Sequence, residues 1–311
     1  MGFFVHRLNF LIIFSLCACQ NKGFKEEKVA ELREVHRHSI SKKTEDFDFE
    51  RIKSILYFSN KEGIFSIEDD SKNLYKIING NFEGIAAKSI FGKTILSAQN
   101  NVLGFQKFYS GKGVHLSADF LKPSLGEKPR FLIYKNQEKN IYYLFAWGKR
   151  NILRQWKVYQ NLSGKLEKLA IQEKDFAKTI QKVEQYKSNN ILVLCNENEF
   201  WITNPTNVLE DKPRLLELQN LKPTTNFVNF AIYGKADSTS IFLLDSLGVI
   251  YKAIIQNEHL FIKEKWAKIN LPPNSIFDFE VIQDNKVIIL MGREETNHLV
   301  WLEKTRDNSF Q

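Results

Sequence analysis

Short hydrophobic runs alternate with polar clusters along the chain beyond Asp46, and the runs occur in pairs. Each run is rich in Ile, Val, Phe, Tyr and Leu, and the clusters contain Asn, Gly, Lys and Asp. Runs bounded by turn residues in this way are typical of β-strands. Six pairs are spaced closely enough to form hairpins: Ser54–Ser59 with Gly63–Ile67, Thr94–Ala98 with Val102–Phe108, Ile141–Trp147 with Ile152–Tyr159, Ile191–Cys195 with Glu199–Thr203, Ser240–Leu244 with Gly248–Ile255, and Val287–Met291 with His298–Glu303.

The hairpins repeat at a nearly constant spacing. Their first strands begin near residues 54, 94, 141, 191, 240 and 287, so neighbouring hairpins start 40 to 50 residues apart. A period in this range signals a solenoid, an array or a propeller, and strand-dominated repeats favour the propeller. The tetrapeptide Phe47–Glu50 before the first hairpin recurs as Phe277–Glu280 before the last, and Asn226–Phe230 alternates similarly before the fifth. We interpret these segments as the innermost strands of blades.

A fourth strand is predicted after each of the first five hairpins, at Asn73–Ile78, Gly113–Ala118, Leu166–Ile171, Arg214–Leu218 and Leu260–Lys268. After the sixth hairpin only Lys304–Gln311 remains, and this segment is short and polar. An unpaired strand edge is an aggregation hazard. We therefore predict that part of Val29–Ile40 pairs beside His298–Glu303 and supplies the missing strand.

The predicted fold is all-β: a single β-propeller over residues 46–311, with six four-stranded blades in a ring closed by an N-terminal strand. Two β-sandwich-like domains are the alternative, although neither a linker nor a composition shift divides residues 46–304. Only Lys174–Tyr186 has apolar residues at helix-like spacing, which predicts one short helix in a connection between blades.

The N-terminal segment has the pattern of an export signal. Arg7 precedes an apolar run from Leu8 to Cys19, and the end of this run, Leu16-Cys17-Ala18-Cys19, resembles the lipobox of bacterial lipoproteins. The run has about 12 residues, whereas a membrane-spanning helix needs about 20. An ordinary secretory signal is the alternative, but its cut would call for a small residue at the position of Leu16.

The lipobox resemblance implies that residues 1–18 are a lipoprotein signal peptide and that Cys19 carries acyl chains, which would anchor the protein to a membrane. Residues 19–45 would form a lipidated tether with a possible closing strand. The expected location is the bacterial cell envelope. Gln20 follows Cys19 at the position where some bacteria use Asp for inner-membrane retention, so the outer membrane is favoured.

Composition adds little to this picture. The formal net charge is 44 − 36 = +8, and the lysines are interspersed with acids, which is typical of a solvated surface. Nucleic acid is not an expected partner of an exported protein. Cys195 would be the only cysteine in the folded body, and its strand Ile191–Cys195 has the pattern of a buried strand, so we interpret it as a structural thiol.

The sequence predicts no catalytic residue, no cofactor and no metal site. It contains no GxSxG nucleophile elbow, and it also lacks the Trp-Asp ends of WD40 units. Among the histidines only His36 and His38 lie close together, and a metal site needs more than two ligands. The tryptophans lie in predicted strands, where packing is the expected role. The densest basic and aromatic stretch is the candidate contact surface, formed by Lys149, Arg150, Arg154, Trp156 and Lys157.

These features predict a non-enzymatic protein-interaction scaffold, because the loops of a propeller suit docking of partner proteins. A lipobox followed by repeated blades resembles the BamB-type lipoproteins, which have eight blades. That resemblance implies an accessory subunit of an outer-membrane protein assembly complex, with protein partners in the envelope. One alternative is a surface-exposed ligand-binding lipoprotein. Another is a six-bladed hydrolase or lactonase with a channel metal, for which Asp48, Glu50, Asp278 and Glu280 are the candidate inward-facing acids.

Overall fold

The computed structural model describes residues 29–42, 48–52, 55–60, 63–68, 75–79, 84–87, 94–99, 102–107, 113–116, 130–135, 141–148, 150–160, 166–206, 212–220, 226–234, 238–271, 275–293 and 296–305. The signal peptide, the lipobox with Cys19, and Lys149 lie outside these residues. The described residues form 24 strands and one 3₁₀ turn at Asn196–Asn198. Within this part of the chain, no helix has the length and hydropathy needed to cross a bilayer.

The strands are grouped in fours, and each group is a meander of antiparallel neighbours. Three groups are separate sheets. Unit 1 contains β2 (Asp48–Ile52), β3 (Ile55–Asn60), β4 (Gly63–Glu68) and β5 (Tyr75–Asn79). Unit 2 contains β6 (Gly84–Ala87), β7 (Thr94–Gln99), β8 (Val102–Lys107) and β9 (Gly113–Leu116). Unit 3 contains β10 (Arg130–Lys135), β11 (Ile141–Trp147), β12 (Ile152–Gln160) and β13 (Leu166–Asp175).

Three further groups make up a twelve-stranded sheet. Unit 4 contains β14 (Ile180–Tyr186), β15 (Asn190–Cys195), β16 (Glu199–Thr203) and β17 (Arg214–Gln219). Unit 5 contains β18 (Phe227–Tyr233), β19 (Ser240–Asp245), β20 (Val249–Gln256) and β21 (His259–Ile269). Unit 6 contains β22 (Ile276–Gln283), β23 (Lys286–Arg293), β24 (Thr296–Lys304) and β1 (Glu31–Lys42). The six predicted hairpins and the five predicted fourth strands are all strands in the structure.

The predicted pairing of the N-terminal segment with the last hairpin is confirmed. β1 runs antiparallel to β24, with a register from Leu32 opposite Lys304 to Lys42 opposite Thr296. The beginning of β1 is fixed further by the Thr305 N–H, which donates to the Glu31 carbonyl at 2.7 Å, and by the Lys268 N–H, which donates to the Ala30 carbonyl at 2.9 Å. β1 is therefore the fourth strand of unit 6, although it precedes every other strand in the chain.

The outer strands of units 4 to 6 are joined to one another by short parallel pairings at their ends. The end of β17 pairs with the beginning of β21, and the end of β21 pairs with the beginning of β1. These short parallel pairings join three meanders into the twelve-stranded sheet.

Among the described side chains, the core lies between neighbouring units, because the sheets of units 4 to 6 are buried on both faces. In β15, Ile191, Val193 and Cys195 pack against unit 3, whereas the alternating Leu192 and Leu194 pack against unit 5. Further clusters join unit 5 to unit 6, and unit 6 to Phe65 and Ile67 of unit 1. Burial on both faces explains why the strands are continuous apolar runs. Two separate sandwiches would bury only the inner face of each sheet.

The predicted short helix in Lys174–Tyr186 is wrong. This segment contains the end of β13, which ends at Asp175, and the whole of β14, which begins at Ile180. The buried residues Ile180, Val183 and Tyr186 are three apart because a bulge follows Ile180 and because Val183 and Tyr186 face opposite neighbours. A register shift can imitate helical periodicity when both faces of a strand are buried.

Deleting residues 20–44 should destabilise the body, whereas deleting residues 20–28 should not. The longer deletion removes β1 with the buried side chains of Leu32 and Ile40 and leaves the edge of β24 unpaired. We expect a fall in melting temperature of about 10 °C or more, since each lost buried aliphatic side chain costs about 2–4 kcal/mol.

Point variants provide a matched pair. Leu32→Ala should lower the stability by a similar cost per residue, and Val35→Ala, which alters an exposed position of the same strand, should not. Equal melting temperatures for the two truncations would contradict this account.

The pairing of β1 with β24 should weaken in mild acid. The His36 ring lies 5.1 Å from the Trp301 ring, and Ser39 Oγ lies 3.2 Å from His298 Nδ1. Burial lowers the pKa of His38 below its ordinary value of 6.5, and the neighbouring His36 lowers it further. The unfolded chain therefore takes up a proton at higher pH than the folded chain does, so stability is lost as pH falls below 6.5.

Chemical denaturation between pH 8 and pH 5 measures this dependence. His38→Gln should flatten the fall in stability below pH 6.5, because it removes the group that titrates differently in the two states. Val35→Ala, which changes an exposed position of β1 that carries no ionisable group, should leave the slope as it is in the unaltered chain. An unchanged slope in His38→Gln would show that the dependence arises elsewhere.

Candidate functional site

Charged and amide side chains from three units meet on the first strands of units 4, 5 and 6. These strands, β14, β18 and β22, lie next to one another, and each pairs only with the second strand of its own unit. Lys182 and Glu184 project from β14, Asn229 from β18, and Asp278 from β22. Lys182 Nζ lies 2.8 Å from Asp278 Oδ1 and 2.8 Å from Glu184 Oε1. We call these four side chains the inner cluster.

The carboxylates of the inner cluster also accept hydrogen bonds from neighbouring groups. Asp278 Oδ1 accepts from Asn229 Nδ2 and from the Phe279 N–H, both at 2.9 Å. Glu184 Oε2 accepts from the Ile232 N–H of β18 at 3.1 Å. This N–H lies on the open edge of its strand, so a side chain of unit 4 satisfies a backbone donor of unit 5. The inner cluster therefore cross-links units 4, 5 and 6 through hydrogen bonds and one ion-pair network.

Burial and the neighbouring charges together set the protonation states of the inner cluster. The Lys182 side chain is 13% exposed. Burial alone would lower its pKa, but the carboxylates of Asp278, Glu184 and Glu280 outweigh that effect, so the pKa of Lys182 is raised and its ammonium stays charged. Burial raises the pKa of Glu184 above its ordinary value, although Lys182 opposes the shift. A protonated lysine has no free electron pair, so Lys182 serves as a fixed positive charge and not as a nucleophile or base.

An open groove of about 830 Å³ lies between units 5 and 6, beside the inner cluster. Unit 5 contributes Lys252 and the hydroxyls of Ser238, Thr239 and Ser240. Unit 6 contributes Glu280 and Asp284 from β22 and the turn that follows it, together with Val281. The tight return of the β18–β19 connection depends on Gly234, whose φ is +113° and where a Cβ would lie 2.4 Å from the Ser238 carbonyl oxygen.

The candidate contact surface is only partly exposed. Arg150 is exposed and Lys157 is half-buried. The prediction is wrong for Arg154 and Trp156, because β12 is an inner strand of unit 3 between β11 and β13. Trp156 is completely buried, and Arg154 is 6% exposed, with its Nε donating to Glu173 Oε1 at 2.6 Å. Both residues stabilise unit 3 and do not face solvent.

Cys195 is buried, as the sequence predicts. Burial raises its pKa to about 12, and the nearby Glu199 adds to the shift. The sulfur is therefore a thiol at neutral pH and is not activated as a nucleophile.

Of the four acids considered for a hydrolase, only Asp278 and Glu280 have described side chains. Asp278 is engaged by Lys182 and Asn229, and Glu280 lines the groove. The side chains of Asp48 and Glu50 lie outside the described part of the structure. No group of three or more His, Cys, Asp or Glu among the described side chains is arranged to hold a metal ion.

Sequence reasoning missed Lys182, Glu184 and Asn229. The one local signal is the alternation of charge in Lys182-Val183-Glu184, which places two ionisable groups on one side of a strand. If this segment is assigned to a helix, residues two apart no longer lie on the same side, so the signal is lost. The partners of Lys182 on β22 are 96 residues away in the chain, so only the arrangement of the strands identifies them.

Lys182→Met should destabilise the protein, because it leaves Asp278 and Glu184 buried without their cation. Breaking a buried ion pair from one side costs about 3–5 kcal/mol. The double variant Lys182→Met with Asp278→Asn should recover part of the loss, since it removes one of the unpaired charges. Lys265→Met, an exposed change on β21, should alter the free energy of unfolding by less than about 0.5 kcal/mol. Equal stability of Lys182→Met and Lys265→Met would show that the inner cluster contributes nothing to the fold.

The sequence matches no protein-family model, and no curated protein resembles it. The fold is nevertheless similar to solved structures. The complex of the fission yeast SREBP–SCAP binding domains aligns with a TM-score of 0.52 and 11% identity over 88% of this chain and 76% of that chain. The WD40 domain of SCAP from fission yeast aligns with a TM-score of 0.51 and 11% identity over 90% of this chain and 71% of that chain. Raptor from Chaetomium thermophilum gives a TM-score of 0.50 and 9% identity over 85% of this chain but 24% of that chain. The chain is all-β, and its fold is similar to that of a WD40 propeller domain.

Proposed function

We propose that this protein is a lipid-anchored component of the bacterial cell envelope whose body, a single six-bladed β-propeller, acts as a non-enzymatic protein-interaction scaffold. The observation that carries the proposal is the arrangement of six four-stranded units, of which units 3 to 6 and unit 1 share core clusters with a neighbouring unit. Such a body presents turns and grooves between blades to partner proteins.

The contacts between first strands support a closed ring. β2 contacts β6, β6 contacts β10, β10 contacts β14, β14 contacts β18, β18 contacts β22, and β22 contacts β2. Each unit thus has two neighbours, and the last returns to the first. The N-terminal strand β1 fits this reading, because it provides unit 6 with the fourth strand that the other units obtain from their own sequence.

Two observations support a binding role. One similar structure is a complex of binding domains, and 76% of its matched chain aligns with 88% of this chain. The second observation concerns the polar groups of this chain. The charged side chains of the inner cluster bond to one another, since Lys182 is held by Asp278 and Glu184. An open groove with polar walls lies next to it. A cluster whose charged groups are already paired, beside an open groove, suits binding of another molecule better than catalysis.

The lipobox-like motif supports anchoring. The position of β1 limits how far the anchored body can lie from the membrane. Cys19 precedes Glu31, the first residue of β1, by 12 residues, which span at most about 40 Å. A globular body of about 290 residues is about 50 Å across. A lipidated Cys19 would therefore hold the part of unit 6 around Glu31 towards the bilayer. Gln20 and the resemblance to BamB-type lipoproteins favour the outer membrane and an accessory role in an outer-membrane protein assembly complex.

Cys19→Ala should release the protein from membranes, because it removes the site of acylation. Cell fractionation measures the distribution, and the intact mass of the purified chain measures the modification. We expect a mass excess corresponding to acyl chains in the unaltered protein and none in Cys19→Ala. Cys17→Ala is the matched control, since Cys17 lies within the predicted signal peptide and its replacement should leave both results unchanged. Membrane retention with the same mature mass in Cys19→Ala would refute the anchoring proposal.

The scaffold proposal predicts a stoichiometric partner in the envelope. Affinity purification from detergent-solubilised membranes, followed by mass spectrometry, should recover the protein with at least one other envelope protein at a comparable molar amount. Recovery of the chain alone under mild detergent and after cross-linking in intact cells would contradict a scaffold role.

A further inference from the structure

The two walls of the groove between units 5 and 6 carry opposite charge. Lys252 and the hydroxyl-bearing residues Ser238, Thr239 and Ser240 line the unit 5 wall. On the unit 6 wall, the carboxylates of Glu280 and Asp284 occupy β22 and the turn after it. The groove therefore offers hydrogen-bond donors and a cation on one side and acceptors with negative charge on the other.

Among the described residues, two of the charged groups that line the groove, Lys252 and Asp284, have no ionic partner. Lys252 Nζ lies 5.9 Å from the centre of the Phe242 ring, and neither Lys252 nor Asp284 forms a hydrogen bond or ion pair in the described structure. This differs from the inner cluster, where Lys182 is bonded to two carboxylates. Lys252 and Asp284 are thus available to groups from outside.

The chemistry of the walls restricts the ligand. A simple anion would meet the carboxylates of unit 6, and a simple cation would meet the ammonium of unit 5. A ligand with both charges satisfies both walls. Ile232, Ile254 and Val281 also line the groove, so the ligand needs apolar or backbone surface in addition to its charges. A volume of about 830 Å³ lies within the range of ligand-binding sites, about 300–1,000 Å³.

We propose that this groove binds a short extended peptide segment of a partner protein, with its acidic side chain at Lys252 and its basic side chain at Asp284. The proposal rests on the scaffold function and specifies its partner chemistry. A peptide fits because it places opposite charges a few residues apart on a backbone that can bond to the hydroxyls of unit 5.

Selection from a displayed library of random heptapeptides on the full chain tests the proposal. We expect enrichment of sequences that carry one Lys or Arg and one Asp or Glu separated by several residues. A labelled peptide from that selection should bind Lys252→Met and Asp284→Asn each about tenfold or more weakly than the unaltered chain, because each variant removes one charge-assisted contact. The exposed change Lys265→Met, on β21, should bind as the unaltered chain does, and all three variants should keep the same melting temperature.

The proposal is overturned if no peptide is enriched, if enriched peptides lack either charge, or if they bind both groove variants with full affinity. A second measurement separates this outcome from failure of the scaffold function. Recovery of the same envelope partner by the unaltered chain and by both variants would exclude the groove as its site and leave a scaffold role intact. Binding of bipolar peptides by a chain that recovers no partner would retain the groove site and exclude the scaffold role.

Discussion

The burial of both sheet faces in units 4 to 6, where the side chains are described, is the constraint on which the rest of this structure depends. Unit 4 packs against unit 3 with one set of alternating side chains and against unit 5 with the other. Unit 5 is covered by units 4 and 6, and unit 6 is covered by unit 5 and by Phe65 and Ile67 of unit 1. A sheet with two apolar faces cannot be stable alone in water. Each unit therefore requires a neighbour on both sides, and this requirement favours a continuous arrangement of units over separable domains.

The N-terminal strand meets the same requirement at the end of the chain. Without β1, unit 6 would have three strands and would lose Leu32 and Ile40, which contribute to the cores on its two faces. The pairing of β1 with β24 and with the end of β21 joins the first described strand to the last two units. Units 4 to 6 are thus connected at their outer strands by parallel pairing and at their first strands by the inner cluster. The groove between units 5 and 6 is lined by residues of β18, β19, β20 and β22, so its walls belong to strands of these two connected units.

The sequence predicts the repeat and the hairpins because their signals are local. Turn residues separate two apolar runs, and Phe277–Glu280 alternates visibly before the last hairpin. The first strands of units 2, 3 and 4 lack such signals. β6 is only Gly84–Ala87, and β10 contains four consecutive buried residues, Phe131 to Tyr134, because both faces are covered. β14 contains a bulge that changes its period.

The candidate sites likewise divide into those that the local sequence predicts and those that depend on contacts between distant parts of the chain. The burial of Cys195 follows from its apolar strand, and this prediction is confirmed. The contact surface fails at Arg154 and Trp156 because basic and aromatic composition does not show that β12 is covered on both faces. Lys182, Asn229 and Asp278 come from three different units, and the pattern around any one of them does not predict the other two. The groove likewise combines Lys252 of unit 5 with Asp284 of unit 6, so it is visible only after the units are packed.

Native-state hydrogen exchange on the intact chain tests most directly whether the N-terminal strand belongs to the body. If β1 completes unit 6, the alternate amides of β1 that bond to β24 should exchange as slowly as those of Val300 and Leu302 on β24, because they open in the same cooperative event. The exposed Asn257–Glu258 turn between β20 and β21 provides a rapidly exchanging reference within the same chain. Rapid exchange throughout β1, at the rate of that turn, while β24 remains protected, would contradict the account.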